Sequence, residues 1–231
     1  MKIKYFVGIA ALLCIVGWSP FSFLFSDNDA TPGTQEWLNN EIHSINSQAS
    51  NIDQHVLQLS LKAYLKARDE GLDDKQILTI IDYTKSSAEP RLWVVDLKRN
   101  KVLFNTWVAH GKNSGMLVPN SFSNSAGSLQ SSVGLYSTED PYMGHNGYSL
   151  RLKGLEHGIN DNAYNRSIVV HGAWYVGPEV ARERGVIGRS WGCPAVSEKV
   201  AKPLIEAIKD RTLVFIYGND RKWLHHSNFL A

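Results

Sequence analysis

The 231-residue chain has little cysteine, little net charge and no internal repeat. Its two cysteines are Cys14, which reads as a filler of an apolar stretch, and Cys193, the only thiol outside that stretch. A net charge of +2 without any Lys/Arg cluster argues against a nucleic-acid ligand. Without repeats or low-complexity segments, the sequence predicts a globular protein with one substantial core.

The start of the chain lacks charge after its fourth residue. Lys2 and Lys4 precede an uncharged run from Tyr5 to Phe25. A basic start followed by an apolar segment predicts a signal peptide or an N-terminal membrane anchor over residues 1–25. No clear cleavage site separates these two alternatives. Both place the rest of the chain outside the cytoplasm, in the periplasm or cell envelope.

Composition divides the rest of the chain into four segments. They are a polar linker at 26–50, compatible with a short helix near 35–45, a helical hairpin at 51–88, a main domain at 89–218 and a polar tail at 219–231. Asp53 is placed to cap the first helix of the hairpin. Asp73 and Asp74 open the second helix, in which Ile77, Leu78 and Ile81 recur at helical spacing.

From Arg91 the hydrophobic period becomes that of β-strands. Strands are predicted at 92–97, 101–104, 133–137, 148–152, 168–170 and 213–217, together with a helical turn at 178–184 and a helix at 198–210. The first two strands form a hairpin. This pattern predicts a mostly β, α+β domain of two packed sheets. A long Gly/Ser/Asn-rich loop at 111–132 is of the kind that often carries function.

Two reactive side chains mark the stretch from Ser167 to Val196. A buried strand ends at His171, which is followed at once by Gly172. Cys193 comes later, between Gly192 and a proline. Glycine allows close backbone approach and proline keeps the next amide out of a ladder, so this turn is suited to present a nucleophile and bind an oxyanion. An unpaired thiol in an exported chain also favours a reactive role over a packing one.

The histidine-glycine pair followed by Ser-x-Gly-Cys resembles the signature of the murein L,D-transpeptidases, cysteine enzymes that cross-link bacterial peptidoglycan. The usual pattern has a second histidine before Gly-Cys, where this chain has Trp191. One branch of the family resembles the chain further, over roughly Val56 to Gly218. Its features recur here as Arg91-Leu92-Trp93-Val94-Val95-Asp96, Val108-Ala109-His110-Gly111-Lys112, Ser121-Phe122-Ser123-Asn124, Gly154-Leu155-Glu156 and Gly188-Arg189-Ser190-Trp191-Gly192-Cys193-Pro194. The resemblance implies an L,D-transpeptidase-like mixed β-sandwich preceded by the helical hairpin.

The chemistry assigns a role to each residue of the predicted site. Cys193 is the nucleophile, and His171 is the general base and then the general acid for the leaving amine. The backbone N–H groups of Gly192 and Cys193 form the oxyanion hole. No carboxylate stands out to orient His171, and the resemblance implies that a backbone carbonyl at Gly172 does so. Substrate-binding roles fall to Gly172, Arg189, Ser190 and Trp191, with a structural salt bridge as the alternative for Arg189. No metal or cofactor is expected.

The resemblance also implies the reaction. The thiol attacks the bond between meso-diaminopimelate and the terminal D-alanine of a tetrapeptide stem. Transfer to the amine of another stem gives a 3→3 cross-link, as in cell-wall synthesis that sets cell shape. Transfer to a lipoprotein lysine gives anchoring, and transfer to water gives a carboxypeptidase or stem-cleaving hydrolase. The expected protein is a monomer that meets the inner membrane only through an uncleaved N-terminus.

Two other classes of protein remain as alternatives. His110, His145, His157, His171 and Cys193 are the ligands available to a zinc-dependent peptidase, although their spacing lacks the short pairs of zinc motifs. The second alternative is a wall-binding module with the same fold and no catalysis, in which Cys193 or His171 is dispensable.

Overall fold

The computed structural model describes residues 30–231. The predicted signal peptide or anchor at 1–25 lies outside the described residues, as does the start of the predicted linker. Within residues 30–231, no helix combines the length and the apolarity that crossing a bilayer requires.

The described chain consists of five helices and eight strands. The helices are α1 (Gln35–Gln48), α2 (Gln54–Asp69), α3 (Pro178–Arg184), α4 (Glu198–Ile208) and α5 (Arg221–His226). The strands are β1 (Ile77–Asp82), β2 (Leu92–Asp96), β3 (Lys101–Thr106), β4 (Gly134–Gly144), β5 (Gly147–Gly154), β6 (Val169–Ala173), β7 (Ala195–Ser197) and β8 (Leu213–Tyr217). The predicted β2–β3 hairpin, α3, α4 and β8 are confirmed.

The strands of residues 30–231 join in one mixed sheet, in the order β3-β2-β1-β8-β4-β5-β6-β7. The β1–β8 and β6–β7 pairs are parallel and the other pairs antiparallel. The α+β class is confirmed, but the two expected sheets are one hydrogen-bonded sheet. Strand β4 accounts for this, because its residues 134–137 pair with β8 while its residues 136–144 pair with β5 on the other side. The β4–β5 pairing contains a break in register between Thr138 and Pro141.

The central strands are buried on both faces of the sheet. In β1, Leu78 and Ile80 point into a core shared with α1, α2 and α5, whereas Ile77 and Ile81 point into a second core shared with α4. Strands covered on both sides have continuous apolar sequences instead of alternating ones. The unbroken apolar runs of β1 and β8 follow from this double burial.

The helix predicted to begin at Asp73 is wrong, because residues 77–82 form β1. Ile77, Leu78 and Ile81 fit a helical face, but a short apolar run does not distinguish a helix from a doubly buried strand. Asp73 caps a turn instead, since its carboxylate accepts a hydrogen bond from the Gln76 N–H at 3.0 Å. Gln76 has a φ of 58°, and this left-handed residue leads the chain into the sheet.

The N-terminal helical hairpin exists, but α1 and α2 form it. Residues 35–48 of the predicted linker form α1, which is slightly longer than the short helix near 35–45 that the sequence allowed there. The Thr34 hydroxyl caps α1 by accepting from the Trp37 N–H at 3.1 Å, and Ile45 is fully buried. Asp53 caps α2 as predicted, accepting from the His55 and Val56 N–H groups.

The predicted polar tail at 219–231 is packed against the domain. It contains α5, in which Trp223 is fully buried against Phe215 and Tyr217. The indole Nε1 donates to the carboxylate of Glu156, with 3.1 Å to each oxygen. One Glu156 oxygen also accepts from the Leu135 N–H at 2.7 Å. A buried carboxylate therefore joins the last helix to the start of β4.

Removal of the Trp223 indole tests this docking of α5. Trp223→Ala leaves a cavity and removes a donor from a buried carboxylate, so we expect it to lower the free energy of unfolding by about 3–5 kcal/mol. Trp223→Phe keeps most of the packing, so it should lower the free energy of unfolding by less. Urea unfolding measures both, with exposed His225→Ala as a control that changes little. Equal stabilities of Trp223→Ala and the control would show that α5 is not part of the folded unit.

Candidate active site

Parallel pairing of β6 and β7 brings the two predicted catalytic residues together. His171 in β6 lies opposite Ala195, the first residue of β7, and Cys193 lies two residues before Ala195. Strand spacings place the Cα atoms of His171 and Cys193 roughly 8 Å apart, a span that an imidazole and a thiol bridge. Both side chains line the same cleft.

The imidazole of His171 is held in one tautomer. Its side chain is buried, and Nδ1 lies 2.8 Å from the carbonyl oxygen of Gly172. Because a carbonyl only accepts, Nδ1 carries the proton and Nε2 keeps the lone pair that a general base needs. Burial lowers the pKa of His171, and the hydrogen bond to Gly172 partly offsets this. The carbonyl orienter implied by the resemblance is therefore present.

The thiol of Cys193 is half-buried and lies 3.6 Å from the carbonyl oxygen of Ser167, to which it donates. Burial raises its pKa, while a backbone hydrogen bond from Val169 and the charge of Arg166 act in the opposite direction. A raised thiol pKa beside a lowered imidazole pKa favours a neutral pair at rest over the thiolate–imidazolium pair.

The cleft around the two residues has a volume of about 420 Å³. Its lining consists of His145, Asn146, Arg166, Ser167, His171, Tyr175, Arg189, Ser190, Trp191 and Cys193. Two arginines, Arg166 and Arg189, are among these residues, and no carboxylate is. The cleft is therefore suited to an anionic ligand, a property that the net charge of the whole chain does not reveal.

Ser190 shapes the turn that carries the nucleophile. Its hydroxyl donates to the Cys193 carbonyl at 2.6 Å and accepts from the Gly192 N–H at 3.1 Å. Gly192 has a φ of 126°, and a Cβ there would lie 2.8 Å from the Gln130 carbonyl oxygen. Backbone conformation and space thus both require glycine before the nucleophile.

This turn changes the predicted oxyanion hole. The Gly192 N–H is bonded to Ser190, so in this conformation it is not free to bind a ligand oxygen. Within residues 30–231 the Cys193 N–H has no hydrogen-bond partner. The Cys193 amide is therefore the available donor of the predicted pair.

The predicted substrate-binding residues divide into structural and exposed positions. Arg189 donates to the carbonyls of Lys112 and Gly115, at 3.0 and 3.1 Å, and in the described chain it makes no salt bridge. Gly172 faces α4 instead of the cleft, since a Cβ there would lie 3.1 Å from that of Ala201. Trp191 is 73% exposed at the mouth of the cleft.

Sequence reasoning did not identify Arg166 and Tyr175 as cleft residues. The Arg166 guanidinium donates to the carbonyls of Ser123 and Gln130, both at 2.6 Å, and so holds the long loop at 111–132 against the nucleophile turn. Gly188 has no side chain to collide with the Tyr175 ring, which packs directly over it. Neither residue is part of a motif, and only the folded chain brings them to Cys193.

A buried pair of side chains, Arg91 and His110, is connected by hydrogen bonds to the turn that carries Cys193. Arg91 is fully buried and its Nη2 donates to Nδ1 of His110 at 2.7 Å. Its remaining donors reach the carbonyls of Val108 and Lys85. The His110 Nε2–H donates to the Gly115 carbonyl at 3.1 Å. The His110 carbonyl in turn accepts from the Ser190 N–H at 2.9 Å, so the pair is connected to the nucleophile turn.

The histidines do not converge as the zinc hypothesis requires. Among residues 30–231, no three His, Cys, Asp or Glu side chains lie close enough to share a metal ion. His110 is bonded to Arg91, and His157 pairs with Asp161 at 2.8 Å on an exposed loop. His145 lines the cleft, but without a third ligand beside it.

One known family matches most of the chain. The family model described as the L,D-transpeptidase catalytic domain matches residues 48–217, which include both catalytic candidates. The chain belongs to the L,D-transpeptidase catalytic-domain family. This family acts on peptidoglycan stem peptides. No curated protein matches the chain.

Solved structures similar to this L,D-transpeptidase domain are distant relatives in sequence. The L,D-transpeptidase from Mycobacterium smegmatis is 14% identical over 62% of this chain and 59% of that one, with a TM-score of 0.38. L,D-transpeptidase 1 from Mycobacterium tuberculosis is 13% identical over 62% of each chain, with a TM-score of 0.35. The L,D-transpeptidase from Stackebrandtia nassauensis is 15% identical over 81% of this chain and 80% of that one, with a TM-score of 0.38. The chain spans about three fifths of the two mycobacterial structures.

The protonation state of Cys193 is open to direct measurement. Because burial raises the thiol pKa above its ordinary 9.0, we expect alkylation by iodoacetamide to accelerate only above pH 9. The mass of the peptide that contains Cys193 follows the reaction separately from Cys14. A fast reaction at pH 7 that His171→Ala abolishes would instead demonstrate a resting thiolate–imidazolium pair.

The buried histidine makes the stability of the domain depend on pH. Burial and the Arg91 charge lower the pKa of His110 from 6.5 to about 4, so the unfolded chain binds a proton first as the pH falls. The contribution of neutral His110 to the free energy of unfolding is fully present above pH 6.5. About 3 kcal/mol of this free energy is lost by pH 4. His110→Gln keeps an acceptor and a donor without a charge change and should flatten the dependence, whereas exposed His225→Gln should not. Identical pH profiles for all three proteins, measured by urea unfolding, would contradict this assignment.

Proposed function

We propose that the protein is a peptidoglycan L,D-transpeptidase that works through an acyl-enzyme on Cys193. The observation that supports this most directly is a thiol and a carbonyl-oriented imidazole in one cleft that has no carboxylate in its lining. Tetrapeptide stems carry several carboxylates, so a cationic cleft attracts them. Family membership supplies the substrate class.

In the first half-reaction, the Cys193 sulfur attacks the carbonyl carbon of the meso-diaminopimelate–D-alanine bond. Nε2 of His171 takes the thiol proton, and the Cys193 N–H donates to the developing oxyanion. The carbon–nitrogen bond then breaks, and His171 returns the proton to the amine of the departing D-alanine. A thioester between Cys193 and the tripeptide stem remains.

In the second half-reaction, an amine attacks the thioester and His171 accepts its proton. Sulfur leaves and is protonated again, which restores the neutral pair. We propose that the amine belongs to the diaminopimelate of a neighbouring stem, so that a 3→3 cross-link forms. When water replaces the amine, the same residues release a tripeptide stem and the protein acts as a carboxypeptidase.

The proposed setting is the cell envelope. The basic, then apolar start of the chain supports export, with residues 1–25 as a signal peptide or an anchor. Both catalytic groups come from one chain, which supports a monomer as the active species.

The decisive experiment incubates the purified protein with disaccharide-tetrapeptide dimers and identifies the products by mass. We expect loss of D-alanine and new 3→3 cross-linked species. Cys193→Ala should abolish both products, and His171→Ala should slow them by about 10²- to 10⁴-fold. His225→Ala is exposed in α5 and serves as the control with full activity.

The products also separate the rival functions. Tripeptide stems without cross-links would identify a hydrolase that uses the same residues. Unchanged activity in Cys193→Ala would refute the acyl-enzyme, and binding of the wild-type protein to peptidoglycan without any turnover would identify a wall-binding module.

A further inference from the structure

A second groove lies next to the catalytic cleft. It is bounded by the end of β3, the segment after β6 and the starts of α3 and α4, and its volume is about 460 Å³. Trp174 lines it and is 68% exposed, so its indole face is open to a ligand in the groove. Trp107 lines the same groove and is held in place because its Nε1 donates to the Ala88 carbonyl at 3.0 Å.

Two neighbouring aromatic residues separate the groove from the cleft. The Trp174 ring packs edge-on against the Tyr175 ring, with centroids 5.7 Å apart. Tyr175 lines the catalytic cleft, and Trp174 lines the groove. A ligand that extends from the cleft past Tyr175 therefore reaches Trp174 next.

The polar groups of the groove differ from those of the cleft. Glu179, Glu198 and Lys199 line it, so its formal charge is −1 from two carboxylates and one ammonium group. Asn105 adds an uncharged amide. Carboxylates and amides accept and donate to hydroxyl groups, and an indole face offers apolar contact to the C–H face of a sugar ring. An acidic groove repels the carboxylates of a stem peptide but accommodates a neutral saccharide.

The stem peptide sets how far the sugar lies from the attacked bond. Three stem residues lie between the attacked carbonyl and the sugar, and three extended residues span roughly 10 Å. Tyr175 lines the cleft together with Cys193, and its ring centroid lies 5.7 Å from that of Trp174.

We propose that this groove, with Trp174 as its main contact, binds the glycan strand to which the donor stem is attached. The inference rests on the proposed function for the identity of the stem but concerns a separate surface. The glycan would anchor the substrate while the stem enters the cationic cleft. Binding energy from the sugars then contributes to substrate affinity without touching the reacting atoms.

The test compares two donors, a free tetrapeptide and the same tetrapeptide on its disaccharide. For the full-length wild-type protein we expect a lower KM with the disaccharide donor. Trp174→Ala should raise that KM about tenfold and leave the KM and kcat for the free tetrapeptide unchanged. The KM of Trp174→Phe for the disaccharide donor should lie between those of the wild type and Trp174→Ala. Tyr164→Ala removes an exposed aromatic ring outside both grooves and serves as the control.

A binding measurement keeps the inference separate from the proposed function. Glycan strands from which an amidase has removed the stems should bind the Cys193→Ala protein, and Trp174→Ala in that background should weaken binding by a similar factor. Binding without turnover of either donor by the wild-type protein would refute the transpeptidase and retain the glycan groove. Equal effects of Trp174→Ala on both donors, or no binding of stem-free strands, would overturn the groove. If free acceptor stems occupied the groove around Trp174 and stem-free glycan strands did not, the groove would instead be the binding site of the acceptor peptide.

Discussion

The active site depends on a buried cation, the guanidinium of Arg91. Burying a charge costs free energy unless its donors find acceptors. Here the guanidinium donates to the carbonyls of Val108 and Lys85 and to the imidazole of His110. The acceptors come from segments before β2 and after β3, so satisfaction of the charge fixes where those segments lie. The backbone carbonyl of His110 in turn accepts a hydrogen bond from the Ser190 N–H, which connects Arg91 to the turn that carries Cys193. The position of Cys193 is thus set by a polar network that contains neither Cys193 nor His171.

Much of the fold was predictable because local rules and tertiary packing agree. The β2–β3 hairpin, α3 and the helix capped by Asp53 have turn residues, caps and periods that point to one structure. The segment 77–82 was mispredicted because double burial removes the alternation that distinguishes a strand. Helix α1 was underestimated because its apolar residues are few in sequence, and its packing on α2 and β3 is visible only in the folded chain.

The site was predictable where chemistry is local in sequence. His171 and Cys193 are recognisable because glycine and proline surround them, and the carbonyl that orients His171 belongs to the next residue. Arg166 and Tyr175 had no such signal. Each takes part in the site through contacts with residues far away in sequence, and the cationic character of the cleft arises from Arg166 and Arg189, which the sequence places 23 positions apart. The engagement of the Gly192 amide by Ser190 was likewise a matter of turn geometry alone.

Gly192 couples the conformation of the turn before Cys193 to that of the loop at 111–132. The space that a side chain would need at this position is filled by the Gln130 carbonyl, and the Gly192 carbonyl accepts from Ser131 on the same loop. The turn and the loop are consequently packed together as one structural unit. Grafting a different loop to retune the specificity of this enzyme would fail unless the Ser190–Cys193 tetrapeptide were exchanged along with it.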